Sequence, residues 1–135
     1  MEIDINNLTD FKVDISFLKE IVKKILKEEG EKNFNVSIAL VNEETIRKIN
    51  KKYRKKDKAT DVLSFVHSEL DNFCGDEMLG EIIICPFQVG KRKKEIVKVL
   101  IHGIFHLLGY DHEKNIKEAE VMRKKEEEYV FFFSN

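Results

Sequence analysis

Three of the chain's four histidines, His102, His106 and His112, fall within one short stretch, LIHGIFHLLGYDH, that runs from Leu100 to His112. Imidazoles four positions apart on a helix share one face about one turn apart, so His102 and His106 can reach a common point. Their segment reads as a buried helix, because Val97, Leu100, Ile101, Ile104, Phe105, Leu107 and Leu108 leave few polar positions. Gly109 follows the last apolar pair, where a left-handed residue ends a helix and turns the chain back, and His112 returns to the same side. A lone histidine on an apolar helix is ordinarily a core residue with its hydrogen bonds satisfied. Three together are a different matter, since burying three polar rings costs free energy unless something binds them. Three neutral imidazoles with one open position make a catalytic zinc site rather than a closed structural one.

Counted from His102, the second histidine stands at plus four, the glycine at plus seven and the third histidine at plus ten. The metzincin proteases carry H-E-x-x-H-x-x-G-x-x-H, which has the same spacing. Their glutamate at plus one is the general base; here that position is Gly103. The metal geometry is kept and the known peptidase chemistry is removed.

The elements that must hold this stretch can be read from the rest of the chain. Its 135 residues fit a single domain, 1–135, with one core. Hydrophobic residues at 42% and charged residues at 36% describe a globular protein with a heavily charged surface. No apolar run approaches the ~20 residues of a membrane span, and the beginning of the chain lacks a secretory signal's apolar centre. Cys74 and Cys85 do not make a disulfide framework, which points to a reducing, cytoplasmic setting. The net charge of −1 hides segregation: Arg47–Lys58 holds eight basic residues against Asp57, and Lys91–Lys98 holds five against Glu95. A lysine run is by default a solvated face, but two clusters, one leading into the histidine helix, favour a polyanionic ligand.

Alternation in Glu2–Asn6 predicts a strand. Asp14 is placed to cap a helix that runs to about Glu29, with Ile15, Leu18, Ile21, Val22, Ile25 and Leu26 on one face. Phe34–Val41 predicts a second strand. Asn42 can cap a second helix carrying Ile46, Ile49 and Tyr53 inward and the basic residues outward. Strands follow at Asp61–His67 and Leu79–Cys85, separated by a polar loop at Ser68–Met78. The histidine helix spans about Lys91–Leu108, and a last helix about Asn115–Val130 docks through Ile116, Ala119, Val121, Met122 and Tyr129. The aromatic tail, Val130–Phe133, is expected to cover apolar surface. The order is βαβαββαα, an α+β chain without repeat or linker.

Two separate stretches resemble the YbeY family of bacterial rRNA maturation endoribonucleases. The family's H-G-x-x-H-x-x-G-Y-D-H signature is complete from His102 to His112. Its Y-R-x-K-D-x-x-T-D-V-L-S-F segment stands at Tyr53–Phe65, and the likeness extends to Leu79-Gly80-Glu81-Ile82. The resemblance implies a four-stranded mixed sheet packed with helices, with the metal site at the end of a central buried helix. It implies a zinc-dependent endonuclease acting on single-stranded RNA, in 16S rRNA 3′-end maturation and ribosome quality control, with the ribosome or its proteins as partners. His102, His106 and His112 would hold one Zn2+ per chain, though another divalent transition metal could load. Arg54 matches the family's functional arginine. Val66 stands where proline is common, Glu81 where aspartate is common, and the segment between Ile84 and the histidine helix is shorter than usual.

Such a centre needs orienting acceptors on the imidazoles, and Asp111, Asp61 and Glu81 are the candidates. It also needs donors for the phosphate: Arg54 has the forked guanidinium for this, and Ser64 could add a hydroxyl. Lys51, Lys52, Lys55, Lys56 and Lys58 are candidates for holding the RNA backbone without reading bases, while His67 stands apart at a strand end. Two other readings compete. One is a zinc peptidase, opposed by Gly103. The other is a non-catalytic ribosome or rRNA-binding factor with a structural metal, opposed by the open fourth position.

Overall fold

Local chemistry places the element boundaries. In the computed structural model, residues 2–31, 35–69, 78–90, 93–110 and 115–134 are described. Strand β1 spans Ile3–Asn7. Helix α1, Ile15–Glu28, begins where the Asp14 side chain accepts from the Phe17 N–H, and buries Leu18, Ile21, Val22, Ile25 and Leu26. Strand β2, Asn35–Leu40, alternates in burial as the pattern predicts. Helix α2, Glu43–Arg54, is capped by Asn42 and has Glu43 and Glu44 in its first turn, where the helix dipole favours acids. Strand β3, Val62–Val66, runs into a single 3₁₀ turn at His67–Glu69. Strand β4 spans Met78–Ile84; the short helix α3, Pro86–Val89, follows, then α4, Lys93–Leu107, and α5, Ile116–Phe133.

The four strands form one mixed sheet in the order β1-β2-β4-β3. β1, β2 and β4 are parallel, and β3 runs antiparallel at the edge beside β4. β4 is covered on both faces, which explains its unbroken Ile82-Ile83-Ile84 run. On one face Ile82 and Ile84 pack with α1 and α4. On the other, Ile83, Leu63 and Phe65 pack with Ile46 of α2. The mixed α+β architecture and the strand–helix order agree with the expectation from the sequence, with α3 as an addition. Pro86 does more than close the strand: at the first position of α3 its missing N–H costs nothing.

Two expectations about packing are corrected. Tyr53 is 36% exposed, its ring meeting Phe65; the buried side chains of α2 are Ile46 and Asn50, and the Asn50 amide donates to the Lys58 carbonyl at 2.9 Å. The C-terminal aromatics do not pack as a block, because α5 continues through Phe133 and its turn sends neighbouring rings to different sides. Phe133 meets Phe17 edge-on, whereas Phe131 and Phe132 are exposed, as are Ile116 and Val121. No described helix is long and apolar enough to cross a membrane.

Candidate active site

Glycines leave room where helix α4 meets the sheet. A side chain at Gly80 would run into the Phe65 carbonyl and Leu107, and a Cβ at Gly103 would stand 3.1 Å from both Ile82 Cγ2 and Ser64 Oγ. Gly103 therefore faces the sheet, while His102 and His106 open onto a cleft of about 880 Å³. Their rings are nearly perpendicular, 85° apart, and their Nε2 atoms converge to 2.9 Å. α4 ends at Leu107, and Gly109, with a φ of +94°, turns the chain beyond it. His112 and Asp111 lie outside the described residues, so the third expected ligand and one expected acceptor are not placed.

A carboxylate backs the first imidazole. Glu126 Oε1 of α5 lies 2.7 Å from His102 Nδ1, with side-chain exposures of 21% and 37% respectively. That hydrogen bond raises the His102 pKa; burial opposes it, and the charges of Glu126 and Asp61 add to it. Glu126 was legible as a position if not as a role: it shares the helical face of Met122 and Tyr129, which the sequence marks as the docking side of α5. It sits instead at the head of an acidic run that reads as surface.

The two imidazoles fit a metal. Nitrogens bound to one tetrahedral zinc at 2.0–2.1 Å stand about 3.3 Å apart, so these rings need part by only about 0.4 Å. The other nitrogen of His102 already has the carboxylate partner that metal-ligating histidines ordinarily have. Glu81 does not share in this. In register it faces Phe65, alternating with Gly80 and Ile82 on the α4 face, so it belongs to the side away from the histidines, where burial raises its pKa. Asp61, by contrast, lines the cleft with the histidines.

Arg54 reaches the same cleft from the end of α2. Lys55, in the left-handed conformation at φ 62°, ends that helix, and its N–H bonds back to the Asn50 carbonyl. The Asn50 amide holds the loop at Lys58, so the basic segment is anchored from within. The Arg54 guanidinium stacks 4.6 Å from the Phe65 ring centre. It donates to Glu69 Oε2 at 2.7 Å and to the Ser64 carbonyl at 2.9 Å. Burial disfavours a charged Glu69, yet hydrogen bonds from Arg54 and the Val66 N–H hold its carboxyl below the usual range. Ser64, Lys56 and Lys58 also line the cleft; Lys51, Lys52 and Lys55 do not. Lys51 and Arg47 instead face Asp57. Glu69, Glu95, Lys98 and Glu126 complete the charged lining and were not singled out from sequence. His67 stays apart, its Nδ1 buried without a hydrogen-bond partner.

A mixed α+β domain whose charged cleft joins a carboxylate-backed histidine pair to a clamped arginine is the framework of a hydrolytic enzyme. The sequence profile described as Endoribonuclease YbeY matches residues 4–134, and the chain belongs to that family. An Endoribonuclease YbeY from Persephonella marina is 41% identical over 129 residues, covering 90% of this chain and 84% of the relative. Another, from a Sulfurihydrogenibium species, is 45% identical over 114 residues, covering 78% and 74%. The solution structure of TM1509 from Thermotoga maritima superposes with a TM-score of 0.64 at 33% identity, covering 95% of this chain and 86% of that one.

Proposed function

We propose that the chain is a zinc-dependent endoribonuclease that cuts single-stranded RNA in the maturation of the 16S rRNA 3′ end and in ribosome quality control. The observation that carries this reading is the convergence of His102 Nε2 and His106 Nε2 to 2.9 Å in the cleft that also holds Arg54. His112, ten residues beyond His102, is assigned as the third ligand on its motif position. Bound zinc would supply a water whose pKa is lowered to about 7, giving a nucleophile at neutral pH without a dedicated protein base.

The chain's own residues then have distinct tasks. Arg54 stabilises the charge that develops on the phosphate, using guanidinium protons left over from Glu69 and Ser64. Lys56 and Lys58 hold the RNA backbone from the cleft wall without base selectivity. Asp61, beside His102, adds negative charge that favours a cation at the histidines. The peptidase alternative lacks its general base: Gly103 stands where those proteases carry glutamate, and a Cβ there would meet Ile82 and Ser64 at 3.1 Å.

Metal content and RNA cleavage measured side by side on wild type and His106→Ala test the reading. Wild type should hold about one zinc per chain and cut a single-stranded RNA, and the variant should do neither. A wild type that cuts RNA equally well after zinc removal would refute the metal role.

A further inference from the structure

Helix α5 delivers one side chain to the histidine site, and its other contacts fix that delivery. Met122 is buried. Lys125 Nζ donates to Glu29 Oε1 at 2.8 Å and to the Tyr110 hydroxyl at 2.9 Å. The Tyr129 hydroxyl donates to Glu28 Oε1 at 2.8 Å, and its ring lies 5.8 Å from that of Phe105. These contacts with α1, α4 and the turn after α4 set the rotation and height of α5. Glu126, next to Lys125, is thereby aimed across at His102 Nδ1.

We propose that Glu126 is the positioning residue of the metal centre. By accepting the Nδ1–H of His102 it holds the tautomer whose Nε2 lone pair points at the place shared with His106. This rests on the zinc reading above. The carboxylate also raises electron density on the imidazole, making it a better ligand. A bond that merely tied α5 to α4 would be redundant, because Met122, Lys125 and Tyr129 already dock the helix. Nor do the other described candidates compete: Glu81 lies on the far face of the sheet, and Asp61 influences His102 through its charge.

The test uses the full chain as wild type, Glu126→Ala, Glu126→Gln and Glu127→Ala. Glu127 is exposed and pairs with Arg123, so it serves as the control. Zinc affinity is measured by competition with a chromogenic chelator, and the zinc-loaded proteins are examined by proton–nitrogen NMR of the histidine rings. Glu126→Ala should bind zinc roughly 10- to 100-fold more weakly, and Glu126→Gln, which keeps an acceptor oxygen but not the charge, several-fold more weakly. Glu127→Ala should match wild type. Wild type should show a downfield, slowly exchanging Nδ1–H from His102 that disappears in Glu126→Ala. Equal zinc affinity in wild type and Glu126→Ala, or no such resonance in wild type, overturns the proposal while leaving the zinc reading intact. A wild type that binds no zinc overturns both. Should Glu126→Ala not fold, Glu126→Gln decides: unchanged affinity with an unmoved resonance overturns the role.

Discussion

Arg54 and Glu69, fifteen residues apart, form a preset clamp on the cleft wall: Nη1 donates to Oε2 at 2.7 Å, and the guanidinium carbon sits over the Phe65 ring, 4.6 Å from its centre. The planar fork is thus held in one orientation before any phosphate arrives, and orientation is what distinguishes arginine from lysine. Arg54→Lys keeps the charge and loses the fork, the stacking and the bond to the Ser64 carbonyl. Its turnover on single-stranded RNA should fall on the order of 100-fold, as for removal of one oriented transition-state donor, with zinc content unchanged. Near-normal turnover in this variant would end the forked role.

Glu69→Gln separates holding from binding. Removing the carboxylate takes a negative charge out of the phosphate path, so KM for RNA should fall. It also frees the guanidinium to wander, so kcat should fall with it. Unchanged values of both would show that Glu69 does neither. The same residue gives an acid signature. Its folded pKa lies below the unfolded value, so its contribution to stability is present above the unfolded pKa, about 4.3, and is lost as pH falls through the folded pKa. The thermal midpoint of wild type should therefore drop more steeply than that of Glu69→Gln below about pH 4. The difference will be small, because both side chains are about a third exposed.

The site residues differ in how visible they were in the sequence, and the difference follows the range of the interaction. His102 and His106 are a helical pair, so a 3.6-residue period is enough to put them together. Caps at Asp14 and Asn42 are equally local, and both form as predicted. The pairing of β3 with β4 and the approach of α5 to α4 depend on where distant segments meet. Glu126 is 24 residues from His102, and Glu69 reaches Arg54 only because β3 and its 3₁₀ turn fold beneath α2. Glu81 went astray for the opposite reason. Strand alternation sets its face by a period of two, and that face was decidable only once Gly80 and Ile82 were known to meet α4.

Gly103 stands where the metzincin pattern has its glutamate, and the position lies tight against the sheet. Gly103→Ala gains about 1 kcal/mol of helix propensity but pushes a methyl group against Ile82 and Ser64, where overpacking costs about 1–3 kcal/mol. Chemical denaturation should therefore show a net loss of up to about 2 kcal/mol, smaller if α4 can shift. Gly103→Glu, which restores the protease pattern, would drive a larger side chain into the tight contact of α4 with Ile82 and Ser64. It should unfold at far lower denaturant and cleave no casein. A stable Gly103→Glu protein with peptidase activity would mean that α4 does not lie as described.

Under the proposed zinc reading, charge balance in the cleft gives the metal a part in binding RNA as well as in cutting it. Among the described lining residues, Arg54, Lys56, Lys58 and Lys98 stand against Asp61, Glu69, Glu95 and Glu126, so the formal charges cancel while the histidines are neutral. A bound divalent ion leaves the cleft net positive, and a polyanion should feel the change. Removing zinc with a chelator should weaken binding of a short single-stranded RNA several-fold, measured by fluorescence anisotropy with a non-cleavable analogue. The lysines should divide by position. Lys56→Ala and Lys58→Ala should each reduce the slope of log affinity against log salt by roughly 0.7, the value for one single-strand phosphate contact. Lys51→Ala should leave it unchanged, because Lys51 lies outside the cleft beside Asp57. Equal slopes for all three variants would place the RNA backbone on the outer face of α2 instead of in the cleft.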